Sequence, residues 1–409
     1  MTRRAVLAGA ALLGAGAGLD RAVESWAGRS ESDSPQLVSF FGAHQAGIAT
    51  TRQAHLAFAA FDLETSSSRA LRRLLQRWTE GAVALTAGRE YLPDGSDSRR
   101  AALDPGEAVG LPPARLTLTF GFGPTLFEKD GGDRLGLARL RPAALEPLPA
   151  FPGELIDPAR SGGDLCVQAC ADEPQVAFHA VHVLARIAAS DASLRWMQQG
   201  FWPTSEAGGA TSRNLLGFKD GTDNIRVDDE AALNRFVWVQ RPTWMRGGTY
   251  LVARRIEIVL ESWDSLTLNE QERTIGRHKL SGAPLGGHQE RDPADLHARD
   301  RHGTPLIPLD AHIRVASAAA NEGRRILRRS YSYSQGSRPG PLDRGGHQLD
   351  SGLFFIAFAR DPRRQFTPLQ RRLATDDALS MFTVHTGSAI FACPPGIRQG
   401  GIIGEHLFA

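Results

Sequence analysis

Three short strings hold the side chains with the greatest chemical reach. Gly217-Phe218-Lys219-Asp220-Gly221-Thr222-Asp223-Asn224 sets a carboxylate between glycines, and a tight turn of that kind can bring backbone and acid close to a ligand. A plain Asp-Gly surface turn fits the same residues. Asp310-Ala311-His312-Ile313-Arg314 places a histidine at the head of an alternating stretch that reads as a strand. His312 is then either a metal ligand or a hydrogen-bonded core residue. Ile326-Leu327-Arg328-Arg329-Ser330-Tyr331-Ser332-Tyr333 reads as a strand whose arginines alternate sides. One of them faces inward and needs an anion, because an unpaired buried charge is costly. An internal salt bridge meets that need as well as a bound anion does. His179 and His182, three apart on a helix, could share a metal, but no third ligand stands near them in sequence.

The elements that must position these groups can be read from hydrophobic periodicity. His55 to Leu63 (HLAFAAFDL) is a short apolar run, as a buried strand requires. Ser66, Ser67 and Ser68 offer helix caps, and Leu71, Leu74, Leu75 and Trp78 follow at helical spacing. Leu116 to Phe120 and Asp164 to Ala171 read as strands, and Asp172 and Pro174 open a helix to about Ala188. This β-α-β-β-α-β order predicts a ferredoxin-like unit, an antiparallel sheet with helices on one face. The second half repeats it: strands at Thr249 to Glu261, His312 to Ala316, Ile326 to Ser332 and Leu353 to Arg360, and helices near Ser265 to Gly276 and Thr367 to Phe382. Gly-, Pro- and charge-rich stretches at Leu92 to Pro113, Leu285 to Pro308 and Gln335 to Asp350 read as surface loops. The fold class is therefore α+β, with two ferredoxin-like domains at 36–205 and 206–409, divided near the Gly/Ser/Thr-rich Glu206 to Asn214.

Composition narrows the function. The chain has 409 residues, 42% hydrophobic and 22% charged, which is ordinary globular usage and rules out disordered and fibrous classes. Lys+Arg 47 against Asp+Glu 45 gives a net charge of +2, so no global field draws it to nucleic acid. Cys166, Cys170 and Cys393 cannot build a disulfide framework. On one strand Cys166 and Cys170 sit ~13 Å apart, beyond disulfide reach, so buried inert thiols are expected. Residues 1–35 read as an export signal and linker. Thr2-Arg3-Arg4 precedes an uncharged Ala/Gly/Leu run from Ala5 to Leu19, the twin-arginine pattern, which implies a periplasmic or extracellular protein. That run is shorter than the ~20 residues a membrane helix needs, and no later segment is long and apolar enough.

Taken together, the three strings resemble the signature of the dye-decolourising peroxidases, haem enzymes built as two ferredoxin-like domains. GFKDGT resembles the family's GxxDG motif, DAHIR its proximal-histidine strand and LRRSYSY its distal-arginine strand. The resemblance extends through Phe41 to Thr50, Phe120 to Phe127, Asp164 to Val181, Gly276 to Gly286 and His385 to Gly396. With the export signal, it points to the exported bacterial subgroup that includes the deferrochelatase/peroxidase proteins.

The resemblance implies one haem b per chain, in the C-terminal half. His312 is then the axial ligand of the iron, with neutral imidazole as donor. Asp377, or its neighbour Asp376, accepts from the other ring nitrogen. Asp220 becomes the acid/base group that moves a proton between peroxide oxygens, and Arg328 the cation that stabilises developing negative charge. An aspartate in that role implies an acidic optimum for dye oxidation. Gly221, Thr222 and Asp223 are expected against the haem edge, and Arg277, with Lys279, near a propionate. Where many relatives carry an Asn/His-Pro-Arg string, this chain has Ser317-Ala318-Ala319, so propionate anchoring differs, with Arg314 or Arg324 as replacements. His44 is a further candidate near the site. The implied partners are hydrogen peroxide and an organic reductant, with no nucleic acid and no membrane span; a homo-oligomer is left open. The alternative is deferrochelatase-like release of iron from haem. A non-catalytic haem carrier would need neither Asp220 nor Arg328.

Overall fold

A computed structural model describes residues 37–91, 99, 101–102, 104–203, 211–241, 243–339 and 347–408, and residues 37–409 cluster as one compact unit. The expected export signal and most of the expected domain boundary lie outside the described residues. β1 (His55–Leu63) is buried on both faces. Ala57, Ala59, Phe61 and Leu63 pack into one core, and Leu56, Phe58 and Ala60 into a second, as the strand period of two demands. α1 (Ser68–Thr86) starts where Ser67 Oγ accepts from Ala70 N, and it buries Leu71, Leu74, Leu75 and Trp78 against the first core. β2 (Thr117–Phe122), β3 (Leu165–Ala171), α2 (Pro174–Ala188) and β4 (Ala192–Phe201) complete the first half. Pro174 occupies the first turn of α2, where its missing N–H costs nothing.

The second half contributes β5 (Thr249–Ile258), α3 (Leu268–Ile275), α4 (His312–Val315), β6 (Leu327–Arg328), β7 (Tyr331–Pro339), β8 (His347–Ala359), α5 (Phe366–Asp376) and β9 (Thr383–Cys393). A reciprocal Thr267–Glu270 capping box starts α3. The first half orders its strands β2-β3-β1-β4, and the second β9-β5-β8-β7. All pairings are antiparallel. The halves join at Phe122–Ala392 and at Phe201–Ser332, a single residue pair at each seam. Because β5 pairs with both β8 and β9, the sheet returns on itself as a barrel. Its inner core holds Phe58, Trp196, Phe354 and Phe391. It also holds Cys166, Cys170 and Cys393, all free thiols.

Several expectations need correction. Asp310 to Arg314 is not strand: Arg314 N and Val315 N both donate to Ala311 O, so His312 opens the one-turn helix α4. Ala311, Ile313 and Val315 alternate over too few residues to separate a strand from one helical turn. The arginine string is not one strand either, since β6 ends at Arg328 and β7 begins at Tyr331. The polar stretch after Gln335 is largely a continuation of the β7–β8 hairpin, paired out to Pro339–His347. It reads as loop because both strands there project into solvent and carry polar side chains. β4 carries too few apolar residues for its periodicity to show: four of its ten positions are buried.

Candidate active site

His312 is fixed from behind. Its Nδ1 lies 2.6 Å from Asp377 Oδ2. A carboxylate accepts only, so Nδ1 is the donor and Nε2 keeps its lone pair. Asp377 caps the segment after α5: its Oδ1 accepts from Leu379 N at 2.9 Å, and Ala378 N donates to Asp310 O at 2.9 Å, beside the histidine. Burial alone would lower the His312 imidazole, but the Asp377 carboxylate outweighs it and holds the ring above its ordinary value. α5 in turn rests on a polar cluster. Buried Arg254 of β5 pairs with Glu154 and donates to Ser388 Oγ at 2.9 Å and His385 Nδ1 at 3.4 Å. Gln370 of α5 lies 3.4 Å from His385 Nε2. Burial, with Arg254 nearby, pushes His385 down to about 3.

The acidic turn is equally constrained. Gly217 and Gly221 adopt φ of +82° and +117°, conformations open to glycine and strained for other residues. Asp220 N donates to Ser212 O at 2.9 Å. The carboxylate receives Arg328 Nη1 at 3.3 Å on Oδ1 and Asn214 Nδ2 at 3.4 Å on Oδ2. Lys219 is paired with Glu290, and Arg213 donates to Gly217 O at 2.8 Å, so the turn is tied to the loop before α4. Arg328 is held through its backbone. Asn224 Nδ2 donates to Arg328 O at 2.7 Å, and Arg328 N donates to Asn224 Oδ1 at 3.0 Å. Asn224 belongs to the same motif as Asp220, yet the sequence reading passed over it because its role is backbone clamping across 104 residues. Arg52 adds a weaker 3.4 Å contact to Arg328 O while stacking over Trp202 at 4.2 Å. The inward arginine is Arg329, and its partners are neutral: Thr50 O and Gln53 Oε1. Arg328 is the one with an anion.

His312 lies near enough to Asp220 and Arg328 for its imidazole to feel the charge of both. Their side chains stay open, 31%, 17% and 31% exposed for His312, Asp220 and Arg328. His312 Nε2 makes no hydrogen bond among the described residues. An imidazole fixed at Nδ1, with Nε2 unbonded among the described residues, fits the proximal donor of a haem iron. The residues present fit that group. Bound haem would supply redox-active iron.

The remaining expected residues have their own partners. Gly221 and Thr222 continue the turn. Asp223 is 74% exposed and pairs with Arg325 at 3.2 Å. Arg277 is buried and donates to Gly282 O and Glu290 O at 2.7 and 3.0 Å. Arg314 donates to Ile307 O and Pro308 O, and Arg324 to Glu322. His44 stacks on Trp238 at 3.7 Å and bonds to Gly247 O. His179 and His182 both bond Glu107, which straps a loop to α2. Among the described residues no group of His, Cys, Asp and Glu is arranged to hold a metal ion.

This architecture and donor set are those of a haem peroxidase, and the chain belongs to the Dyp-type peroxidase family. The family's N-terminal domain matches residues 45–202 and its C-terminal domain residues 211–398. The chain is 37% identical to the dye-decolorizing peroxidase of Thermobifida fusca (strain YX) over 99% of this chain and 97% of that one. It is also 37% identical to the deferrochelatase of Escherichia coli (strain K12), over 88% of this chain and 84% of the relative. Among solved structures it resembles the DyP-type peroxidase from Cellulomonas bogoriensis, with TM-score 0.82 and 41% identity over 91% of this chain and 98% of that one. Ferric DtpA from Streptomyces lividans gives TM-score 0.83 and 39% identity over the same shares.

Two outcomes follow. Asn224→Ala frees the Arg328 backbone and lowers peroxide turnover about tenfold, on the scale of one positioning hydrogen-bond pair, with haem content unchanged; steady-state kinetics that match the parent remove Asn224 from the site. For His385, the unfolded chain takes up a proton near pH 6.5 and the folded chain resists it until about 3. The stability from this group is therefore whole above pH 6.5 and is lost progressively as pH falls toward 3. The drop in thermal midpoint between about pH 6 and 4 should be smaller in His385→Gln than in the parent.

Proposed function

We propose that this haem peroxidase works with His312 as axial ligand, Asp377 as its support, Asp220 as acid/base group and Arg328 as charge stabiliser. The observation that carries the reading is the His312–Asp377 bond within electrostatic reach of the hydrogen-bonded Asp220–Arg328 pair. Asp220 would take the proton from one peroxide oxygen and return it to the other, which would leave as water, with bound haem supplying the two electrons the cleavage consumes and the reductant restoring them. Arg328 offsets the negative charge that builds as the O–O bond opens. Asn214 and Arg328 aim the two carboxylate oxygens, and Asn224 keeps Arg328 in register. The Asp377 acceptor holds the His312 ring at one orientation and raises its electron donation through Nε2. Gly221, Thr222 and Asp223 would help hold the haem in this reading, and Arg277 would contribute positive charge near it. Electrons come from a phenolic or dye-like reductant.

The two halves are read as two ferredoxin-like domains, supported by their equivalent strand orders and by family matches that end at 202 and resume at 211. Export by the twin-arginine route to the periplasm or beyond rests on Thr2-Arg3-Arg4 and the apolar run after it. Fractionation that leaves the mature protein in the cytoplasm removes that proposal.

His312→Ala should purify without haem, whereas Asp220→Asn should keep full haem and lose at least about a hundredfold of its peroxide turnover, the usual share of one acid/base group. Full haem content in the first variant moves the ligand elsewhere. The deferrochelatase reading has a specific motive in the 37% identity to that relative. Incubation of the purified protein with haem then separates the two: iron-free porphyrin should not accumulate, while a peroxide-dependent dye assay stays active.

A further inference from the structure

A cavity of about 220 Å³ shares no lining residue with the site above. Its origin is the seam between the barrel halves. β4 and β7 pair only at Phe201 and Ser332, so they part beyond that point, and β7 bulges between Ser334 and Ser337. Bulges re-aim side chains, and here Gln335 of the bulge lines the gap. One wall is apolar: Trp196 and Phe354, ring centroids 6.1 Å apart at 70°, with Met197 beside them. The other is cationic. Arg160 and Arg255 both donate to the same Gln335 Oε1, each at 3.2 Å. Gln335 Oε1 thus bridges two guanidiniums, of which Arg255 also pairs with Asp350, and an anion in place of that neutral oxygen would bond both more strongly. Arg255 is set in place by Gln198 Oε1 at 3.2 Å, Thr386 Oγ1 at 2.9 Å and Asp350 at 2.5 Å. Arg160 has only a long 3.7 Å approach to Asp157 and is 44% exposed. Beneath Arg255 the ring of Tyr333 stacks at 4.3 Å, and its hydroxyl is buried with no hydrogen-bond partner. Such a buried orphan is rare unless another group satisfies it.

We propose that this seam cavity binds a single-ring aromatic carboxylate. The ring packs against the wall formed by Trp196 and Phe354, and the carboxylate displaces the Gln335 amide from Arg160 and Arg255. The volume falls below the ~300–1,000 Å³ of sites for drug-sized ligands and suits a single ring. Calorimetric titration of the haem-loaded protein with sodium benzoate, beside neutral benzamide, tests it. Benzoate should saturate one site per chain and bind at least about tenfold tighter than benzamide, the margin expected of a charge-assisted pair. Arg160→Met, a change at an exposed position, should weaken benzoate about tenfold, and Met197→Trp, which fills the cavity, should abolish it. The Soret band should not move during the titration. Equal binding of benzamide, no saturation, or an unaltered Arg160→Met overturns the proposal. So does a Soret shift that tracks the heat, because benzoate is then at the haem. None of these readouts uses peroxide, so the seam site and the peroxidase assignment fail separately.

Discussion

The direction of one imidazole nitrogen depends on a hydrogen bond between residues 65 apart, His312 and Asp377. A one-turn helix cannot hold a side chain steady by itself. The steadiness comes from outside: Asp377 is anchored by Leu379 N, and Ala378 N reaches Asp310 O, so two bonds join the histidine turn to the end of α5. α5 is seated in turn by Gln370 over the Arg254–Glu154–His385 cluster on β5 and β9. The proximal half of the site is therefore a consequence of how α5 packs on the second-half sheet.

The opposite pair is built on a different support. Asp220 sits on a glycine-rich turn braced by Lys219–Glu290 and Arg213, and Arg328 ends a two-residue strand. Neither element is stable alone. Asn224 locks them together through the Arg328 backbone, leaving the guanidinium free for Asp220. The first half also reaches this strand: Arg52 contacts Arg328 O, and Thr50 and Gln53 accept from Arg329. Closure of the barrel thus bears on these residues, although Asp220, His312 and Arg328 all come from the second half.

The seams show what closure leaves behind. Each is one residue pair wide, so the strands on either side cannot stay in contact over their length. Side chains fill most of that wedge, and where β4 and β7 part they leave the arginine-lined space described above.

Much of the fold and the identity of the central residues was legible in the chain. β1 runs from His55 to Leu63 as its apolar run predicts, and Leu71, Leu74, Leu75 and Trp78 bury one face of α1. Asp220, His312 and Arg328 stood out in three strings that each had a plain structural reading, and only the resemblance of the three together gave them chemical roles. Local pattern could not name their partners. His312 proved helical, Arg329 rather than Arg328 took the buried place, and neutral carbonyls satisfied it. Asn224 and the barrel closure left no periodic trace, since both depend on contacts between residues 104 or more apart or on single-pair seams. Periodicity reports which face of an element is apolar; only the folded chain decides which polar groups meet, because each bond forms where packing has already delivered its donor and acceptor.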